Sequence, residues 1–362
     1  MNADGPLQKI TLAHGSGGKA MDDLIRDVFI RAFGPHSAAL HTTGLNSITL
    51  EDQARLDLAA LQQQGNRLAF TTDCYVVHPL FFPGGDIGKL AVTGTVNDLA
   101  VGGAKPLYLS CGFILEEGLP IDTLKKVVCS MQQTAEAAGV SIVTGDTKVV
   151  PKGSCDKLFI NTAGVGVIAA GVNISAAAAQ PGDAILINGY LGDHGAAVLD
   201  ARGELALHNT IESDCQPLGD LVQAMLAACP DIHCLRDVTR GGLAGVLNEF
   251  AQASDCCIEI EETRLPIRTE VRGMCEILGL DPLYLANEGK LACVAPAHAA
   301  EKLLQVMQSH PAGRHSAIIG RVKATSEVVA RTVSKPRVLM TTGFGSQRMI
   351  DRLVGEPLPR IC

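Results

Sequence analysis

Residues 70–106 read FTTDCYVVHPLFFPGGDIGKLAVTGTVNDLAVGGAKP. With the three residues before it, the first part gives RLAFTTD (67–73), a strand that ends on an acid. The last part, DIGKLAVTGTVNDLAVGG (86–103), reads as a helix, and it carries Asn97 and Asp98. Working outward, PLYLSCGFIL (106–115), SIVTGD (141–146) and KLFINTAGVGVI (157–168) read as strands. PIDTLKKVVCSMQQTAEAAG (120–139) reads as a helix with Leu124, Val127, Val128 and Met131 on one face and Gly139 as its stop. The Ala-rich run NISAAAAQPGD (173–183) marks a boundary, after which the pattern restarts. AILINGY (184–190) opens the second unit, VTRGGLAGVLNEFAQAS (238–254) is helical from about Leu243, and CIEIEE, LACVAP, AIIGRV and VVARTV read as later strands. Interleaved strands and helices in two units mean a two-domain mixed α/β protein.

A chain of 362 residues, 47% hydrophobic and 19% charged, has room for two ordinary cores and is globular rather than disordered. The net charge of −8 and the absence of Trp disfavour phosphate-backbone and base-stacking surfaces, so no nucleic acid is expected. The longest apolar run, Ala163 to Val172, is too short to span a bilayer, and MNADGPLQKI lacks the make-up of an export signal, so a cytoplasmic location is expected. The twelve cysteines are therefore read as reduced, with Cys111, Cys129 and Cys293 as small core residues. The clusters Cys229/His233/Cys234 and Cys256/Cys257 lack zinc-ligand spacing.

Two glycine-rich stretches fail as nucleotide motifs. Around HGSGGK (14–19), Ala13 stands where a Walker loop needs glycine and Ala20 where it needs a hydroxyl side chain, and GVGVIA (164–169) lies inside a strand-like run. Gly15, Gly17 and Gly18, with Lys19, remain able to present backbone N–H groups and a charge to an anion, although a flexible loop accounts for the spacing equally well. The acids speak more clearly. Asp73 and Asp146 end strands and Asp98 sits in VNDLAVGG; acids gathered at one sheet edge repel unless cations intervene, and Mg²⁺ with a nucleotide phosphate is the usual solution. Turn-capping is the ordinary role of any one of them. RDVTRGG (236–242) sets Arg236, Asp237 and Arg240 at a strand-to-helix turn, and ANEGKL places Glu288 before a strand.

The sequence finishes EPLPRIC (356–362). Pro357 and Pro359 exclude a helix and predict a semi-rigid extended arm with a reach of roughly 20 Å. Before it, SQRMIDRLV predicts a helix with Met349, Ile350, Leu353 and Val354 on one face, stopped at Gly355.

Taken together, HGSGGK, residues 70–106, VTGDTKVV, LRDVTRGGLAGVLNE, ANEGKL and the terminal PRIC closely resemble the hydrogenase maturation family HypE. They resemble in looser form aminoimidazole ribotide synthetase, formylglycinamidine synthetase, selenophosphate synthetase and thiamine-monophosphate kinase. The resemblance implies a PurM-like two-domain fold. Its expected division is a Gly-rich segment (1–40), an ATP-binding and dimerisation domain (41–172), a second α/β domain (173–342), and a C-terminal helix and mobile tail (343–362). It implies that Cys362 accepts a carbamoyl group from a HypF-like carbamoyltransferase and that ATP drives its dehydration to a thiocyanate. The cyano group then passes to iron on a HypC–HypD-like scaffold. It implies a homodimer, with ATP and Mg²⁺ as cofactors. The expected metal ligands are Asp73, Asp98 and Asp146, and Gly17, Gly18, Lys19, Asn97 and Asp237 join them around the nucleotide. Lys148, two residues beyond Asp146, and Glu288 are the expected deprotonating pair, Lys148 acting as base if neutral or as a cation. Two rivals stand beside this reading. One is an amide- or selenide-phosphorylating synthetase, although the nucleophile that selenophosphate synthetases carry beside the N-terminal lysine is missing from Gly17-Gly18-Lys19-Ala20. The other is a non-catalytic carrier that merely offers Cys362 to a partner.

Overall fold

The computed structural model describes residues 8–34, 53–203, 210–325, 337–353, 355, 358 and 360–362. The first domain runs β1 (Arg67–Tyr75), β2 (Phe81–Phe82), β3 (Gly85–Asp86), α1 (Ile87–Val101), β4 (Ala104–Glu116), α2 (Ile121–Ala137), β5 (Ser141–Val150) and β6 (Leu158–Ile168). Its main sheet has the order β1-β6-β4-β5, with β4 and β5 parallel and the other neighbours antiparallel; β2 and β3 form a separate ribbon. Strands β1 and β5 are thus its two edges.

The helix α1 is the hinge pin of the molecule. Asp86 caps it, accepting from the N–H groups of Gly88 and Lys89. Every residue of α1 except Lys89 and Asp98 is buried, because the sheet and α2 lie on one side and the second domain on the other. A helix enclosed all round has no polar stripe, which is why its sequence is small and apolar throughout. Small size also sets the spacing: a Cβ on Gly94 would overlap the Tyr75 hydroxyl, and one on Gly88 the Val127 carbonyl. Helix α2, by contrast, is amphipathic and buries Leu124, Val127, Val128 and Met131 as expected. Cys129 falls on its opposite face and is exposed, so it is not a core residue; Cys111 and Cys293 are buried.

The second domain comprises β7 (Ala184–Ile187), α3 (Asp193–Ala201), α4 (Gly219–Ala228), β8 (Cys234–Asp237), α5 (Gly242–Ala253), β9 (Cys257–Glu261), α6 (Thr269–Leu278), β10 (Leu291–Ala295), α7 (Ala297–Ser309), β11 (Ala317–Lys323), β12 (Arg337–Thr341) and β13 (Gln347–Ile350). Its sheet order is β13-β12-β9-β11-β7-β10-β8. The Ala-rich connection packs onto this domain, Ser175 N–H donating to the His233 carbonyl at 3.0 Å and Ala179 N–H to Ser254 Oγ at 3.1 Å. The expected strand VVARTV lies outside the described residues.

The expected C-terminal helix is not formed. Gln347–Ile350 is a strand, paired antiparallel with β12 in the register Val338↔Ile350 to Thr341↔Gln347. Thr342 and Ser346 bond through both backbone and side chains around Gly345, whose φ is 83°. That turn pairs the segment with its neighbour before a helix can close, and Ile350 joins the core as an inward strand residue. Val354, Pro357 and Pro359 lie outside the described residues.

Candidate active site

A cleft of about 680 Å³ opens between the domains. From the first domain β1 brings Asp73 and α1 brings Asp98; from the second, the β8–α5 turn brings Asp237 and Arg240, and the loop before β10 brings Glu288. Thr71 Oγ1 donates to Asp98 at 3.1 Å, and Arg240 reaches across the cleft to within 4.0 Å of Asp73. Burial, followed by the charge of Asp98, pushes the Asp237 carboxyl up to about 7; burial raises Asp98 as well. Among the described residues no three His, Cys, Asp or Glu side chains are close enough to hold a metal by themselves. The acids of this cleft face one another without converging on one point.

Glu288 lies deepest. It is buried, its Oε1 has no partner, and burial together with Asp214, Asp237 and Asp73 holds its pKa well above the ordinary carboxyl range. The exposed loop that a lone Glu suggests is not its setting. Asp214 fixes the backbone around it, accepting from Glu288 N–H at 3.1 Å and Gly289 N–H at 3.0 Å, and from Lys290 Nζ at 2.9 Å in a buried ion pair. Burial disfavours that charge, but Lys290 and the Glu288 N–H outweigh it, and Asp214 stays ionised below its ordinary range. Neither Asp214 nor Lys290 announces itself in the sequence.

Cys362 lines the same cleft. The tail is docked rather than projecting: Val76 N–H donates to the Cys362 carbonyl and His78 N–H to the Arg360 carbonyl, each at 3.2 Å, an added length of strand pairing. Arg360 sits at φ 55°, a left-handed conformation that costs about 1–2 kcal/mol for a side chain. Its guanidinium holds it there, donating to the Val76 carbonyl at 3.0 Å and to Asp156 at 2.8 Å. Ile361 is buried in the first core.

Six expected site residues are placed otherwise: Asn97, Asp146, Lys148, Gly17, Gly18 and Lys19. Asn97 is buried and staples the domains: its amide donates to the carbonyls of Gln216 (3.2 Å) and Glu288 (3.3 Å), and its Oδ1 accepts from Leu218 N–H at 2.7 Å. Both ends are occupied, so in this structure it joins the domains. Asp146 and Lys148 pair with each other at 2.8 Å on β5, and this ion pair holds the exposed Asp146 carboxyl low. The register Asp73↔Thr162↔Cys111↔Gly145 sets Asp146 three strands from Asp73, about 14 Å at ordinary strand spacing, and on the opposite face. Asp146 therefore cannot share an ion with the Asp73 of its own chain, nor is Lys148 in its own chain's cleft. The glycine segment keeps company with that edge: Leu12–Gly15 packs on β5, where a Cβ on Gly15 would meet Val149 at 2.9 Å, and Gly17 (φ 78°) leads into the short helix Lys19–Leu24. Lys19 there pairs with Asp23 at 2.9 Å.

The two domains match the family descriptions "AIR synthase related protein", N-terminal domain over residues 50–168 and C-terminal domain over residues 180–332. This places the chain in the class of two-domain AIR synthase related proteins. Within the class, the chain is 55% identical over 355 residues to the carbamoyl dehydratase HypE of Rhodobacter capsulatus, covering 98% of both. The solved structure of the hydrogenase maturation protein HypE in complex with ATP matches with a TM-score of 0.88 at 50% identity, over 97% of this chain and 99% of that one. A chain of a HypE–HypF complex matches with a TM-score of 0.75 at 49% identity, over 79% of this chain and 90% of that one. The chain belongs to the HypE family of carbamoyl dehydratases.

Proposed function

We propose that this chain carries a carbamoyl group on Cys362 and dehydrates it with ATP to a thiocyanate, the source of a cyanide ligand for the iron of a [NiFe] hydrogenase. The observation that carries the reading is the docked tail, which sets Cys362 in the cleft that also holds Asp73, Asp98, Asp237, Arg240 and Glu288. Converting –S–CO–NH₂ to –S–C≡N removes one oxygen and two protons from nitrogen. The carbonyl oxygen attacks the γ-phosphorus of ATP and ADP leaves; the C–O bond then breaks with phosphate as leaving group, and both N–H protons pass to bases. Glu288 is suited to take one. Its free Oε1 faces no competing donor, and its raised pKa makes its carboxylate a strong base once formed. Arg240 supplies positive charge to the phosphate side.

ATP is the cosubstrate in this reading, and a HypE relative was solved in complex with it. Asp73, Asp98 and Asp237 would hold Mg²⁺, with phosphate oxygens and water completing its shell; burial first, and then the neighbouring carboxylates, raise Asp98 and Asp237, and a bound cation would offset both. When bound, the ion would neutralise phosphate charge. A homodimer completes the site. The outer face of the first sheet leaves Leu68 and Phe70 58% and 73% exposed on edge strand β1, and the opposite edge carries Asp146, Lys148 and the glycine segment. A second copy covering that face would supply Lys148, Asp146, Gly17, Gly18 and Lys19 to its partner's cleft. A HypF-like carbamoyltransferase loads Cys362, and a HypC–HypD-like iron scaffold receives the product.

Intact mass of the carbamoylated protein tests the reading. Loss of one water from the C-terminal peptide on adding Mg·ATP, absent in Cys362→Ala, is expected. ATP turnover unaffected by Cys362→Ala would instead mean a free-substrate synthetase, and no turnover at all a passive carrier.

A further inference from the structure

Among the side chains of the second domain that bond the tail, one holds the residue next to Cys362 and has no part in the chemistry above. His194, on α3, is buried, and its Nε2 lies 2.8 Å from the carbonyl oxygen of Ile361, the residue before Cys362. A carbonyl only accepts, so Nε2 carries the proton. Nδ1 must then accept, and the Ser213 hydroxyl, 2.8 Å away, donates to it. Burial disfavours the doubly protonated ring, and the Phe82 ring packs edge-on with centroids 5.4 Å apart. His194 is therefore held in one tautomer and one orientation. Ser213 precedes Asp214, whose carboxylate fixes the backbone of Glu288 and Gly289. One short loop thus sets both the tail, through His194, and Glu288, through Asp214.

We propose that His194 is a positioning residue for the dehydration, holding the docked tail so that the Cys362 sulfur lies in register with Glu288, and that Ser213 keeps the imidazole in the tautomer that does this. The proposal rests on the reading of Cys362 as the carrier. Arg360 and the paired backbone at Val76 and His78 bring the tail to the first domain; two side chains tie it to the second, where Glu288 resides: Arg202, just beyond α3, donates to the Arg360 carbonyl at 3.0 Å, and His194 holds the Ile361 carbonyl next to Cys362. Without it the buried Ile361 carbonyl loses its donor, and the tail can settle in poses that leave the sulfur out of line.

The test uses the full chain with two readouts. Docking is followed by hydrogen exchange at the Val76 and His78 amides, which the tail protects. Chemistry is followed as the single-turnover loss of water from the carbamoylated protein with Mg·ATP. His194→Ala should speed exchange at both amides and slow turnover about tenfold, the effect of one lost buried hydrogen bond, with ATP affinity unchanged. His194→Gln, whose amide can donate to the same carbonyl, should recover part of both. Wild-type protection and rate in His194→Ala would overturn the proposal; so would lost protection with an unchanged rate, because the docked pose would then not be the reacting one. Should His194→Ala fail to fold, Ser213→Ala decides: slower turnover and faster exchange, restored by Ser213→Thr, are expected, and wild-type behaviour overturns it. Failure of the underlying reading looks different, since the wild-type protein itself would then lose no water.

Discussion

The carboxyl of Asp237 stays protonated at a pH where a solvated aspartate is fully ionised, held up to about 7 by burial and by Asp98. Below about pH 4 the group is protonated in both folded and unfolded chains and has no effect on stability. As the pH rises past that, the unfolded chain releases the proton first, so folded stability falls until the folded group also ionises near 7, and the full penalty persists above. Asp237→Asn should therefore raise the melting temperature of the ligand-free protein at about pH 8 and leave it unchanged near pH 3.5. An equal gain at both pH values would show that packing, not ionisation, was responsible. Glu288 is the deeper case. Glu288→Gln keeps the shape and the Asp214 contacts, which are to its backbone N–H. ATP should bind as before, while loss of water from the carbamoylated tail slows by roughly a hundredfold or more, the usual contribution of a positioned base. A normal rate in that variant would remove Glu288 from the proton path.

Among elements, α1 governs the relation between the domains, and its glycines are where it is most vulnerable. Gly94 faces the buried Tyr75 ring so closely that Gly94→Ala must push the helix or the ring aside. The substitution favours helix by about 1 kcal/mol yet forces overpacking that, with the Tyr75 hydroxyl so close, falls at the upper end of about 1–3 kcal/mol, so net destabilisation of up to about 2 kcal/mol is expected by urea denaturation. A stabilised variant would mean that the helix shifts freely. This helix was legible in the sequence because a run of small apolar residues between two glycine turns has few other uses. The strands of the first sheet were legible for a similar reason, and Asp73 and Asp146 stood out against apolar neighbours, although they lie inside β1 and β5 rather than at the strand ends expected. Gln347–Ile350 was not. Its apolar residues fit a helical period, and only the partner strand β12 and the turn at Gly345 decide otherwise. Asn97 shows another limit: the resemblance set it around the nucleotide, but nothing local in the sequence signals its partners, backbone groups of Gln216, Leu218 and Glu288, more than a hundred residues away. Asp214, Lys290 and His194 gave no local signal, since their meaning lies wholly in contacts between distant segments.

At the scale of the molecule, the candidate site is split. Asp73, Asp98, Asp237, Glu288 and Cys362 share one cleft, while Asp146, Lys148 and the glycine segment belong to the far edge of the same sheet and to its outer face. The full width of the four-stranded sheet separates the halves, and no side chain spans that width. A two-fold pairing of chains would resolve it: the face that one chain presents would be closed by the same face of the other, and with the axis along the strands each β5 edge would approach its partner's β1 edge. Mixing two inactive variants distinguishes the arrangements. In Cys362→Ala the cargo thiol is missing; in Lys148→Ala the lysine is missing. If Lys148 served the cleft of its own chain, a mixed dimer would hold no complete site and the mixture would stay inactive. If it serves the partner's cleft, the tail of the Lys148→Ala chain meets the lysine of the Cys362→Ala chain, and one site per mixed dimer works. Random pairing of equal amounts makes about half the dimers mixed, so co-expressed and carbamoylated chains should regain about a quarter of the wild-type yield of dehydrated tail, read by mass on the Lys148→Ala chain. No recovery, in dimers shown by size to be mixed, would place Lys148 outside the partner's site and leave the outer face of the first sheet without a catalytic role.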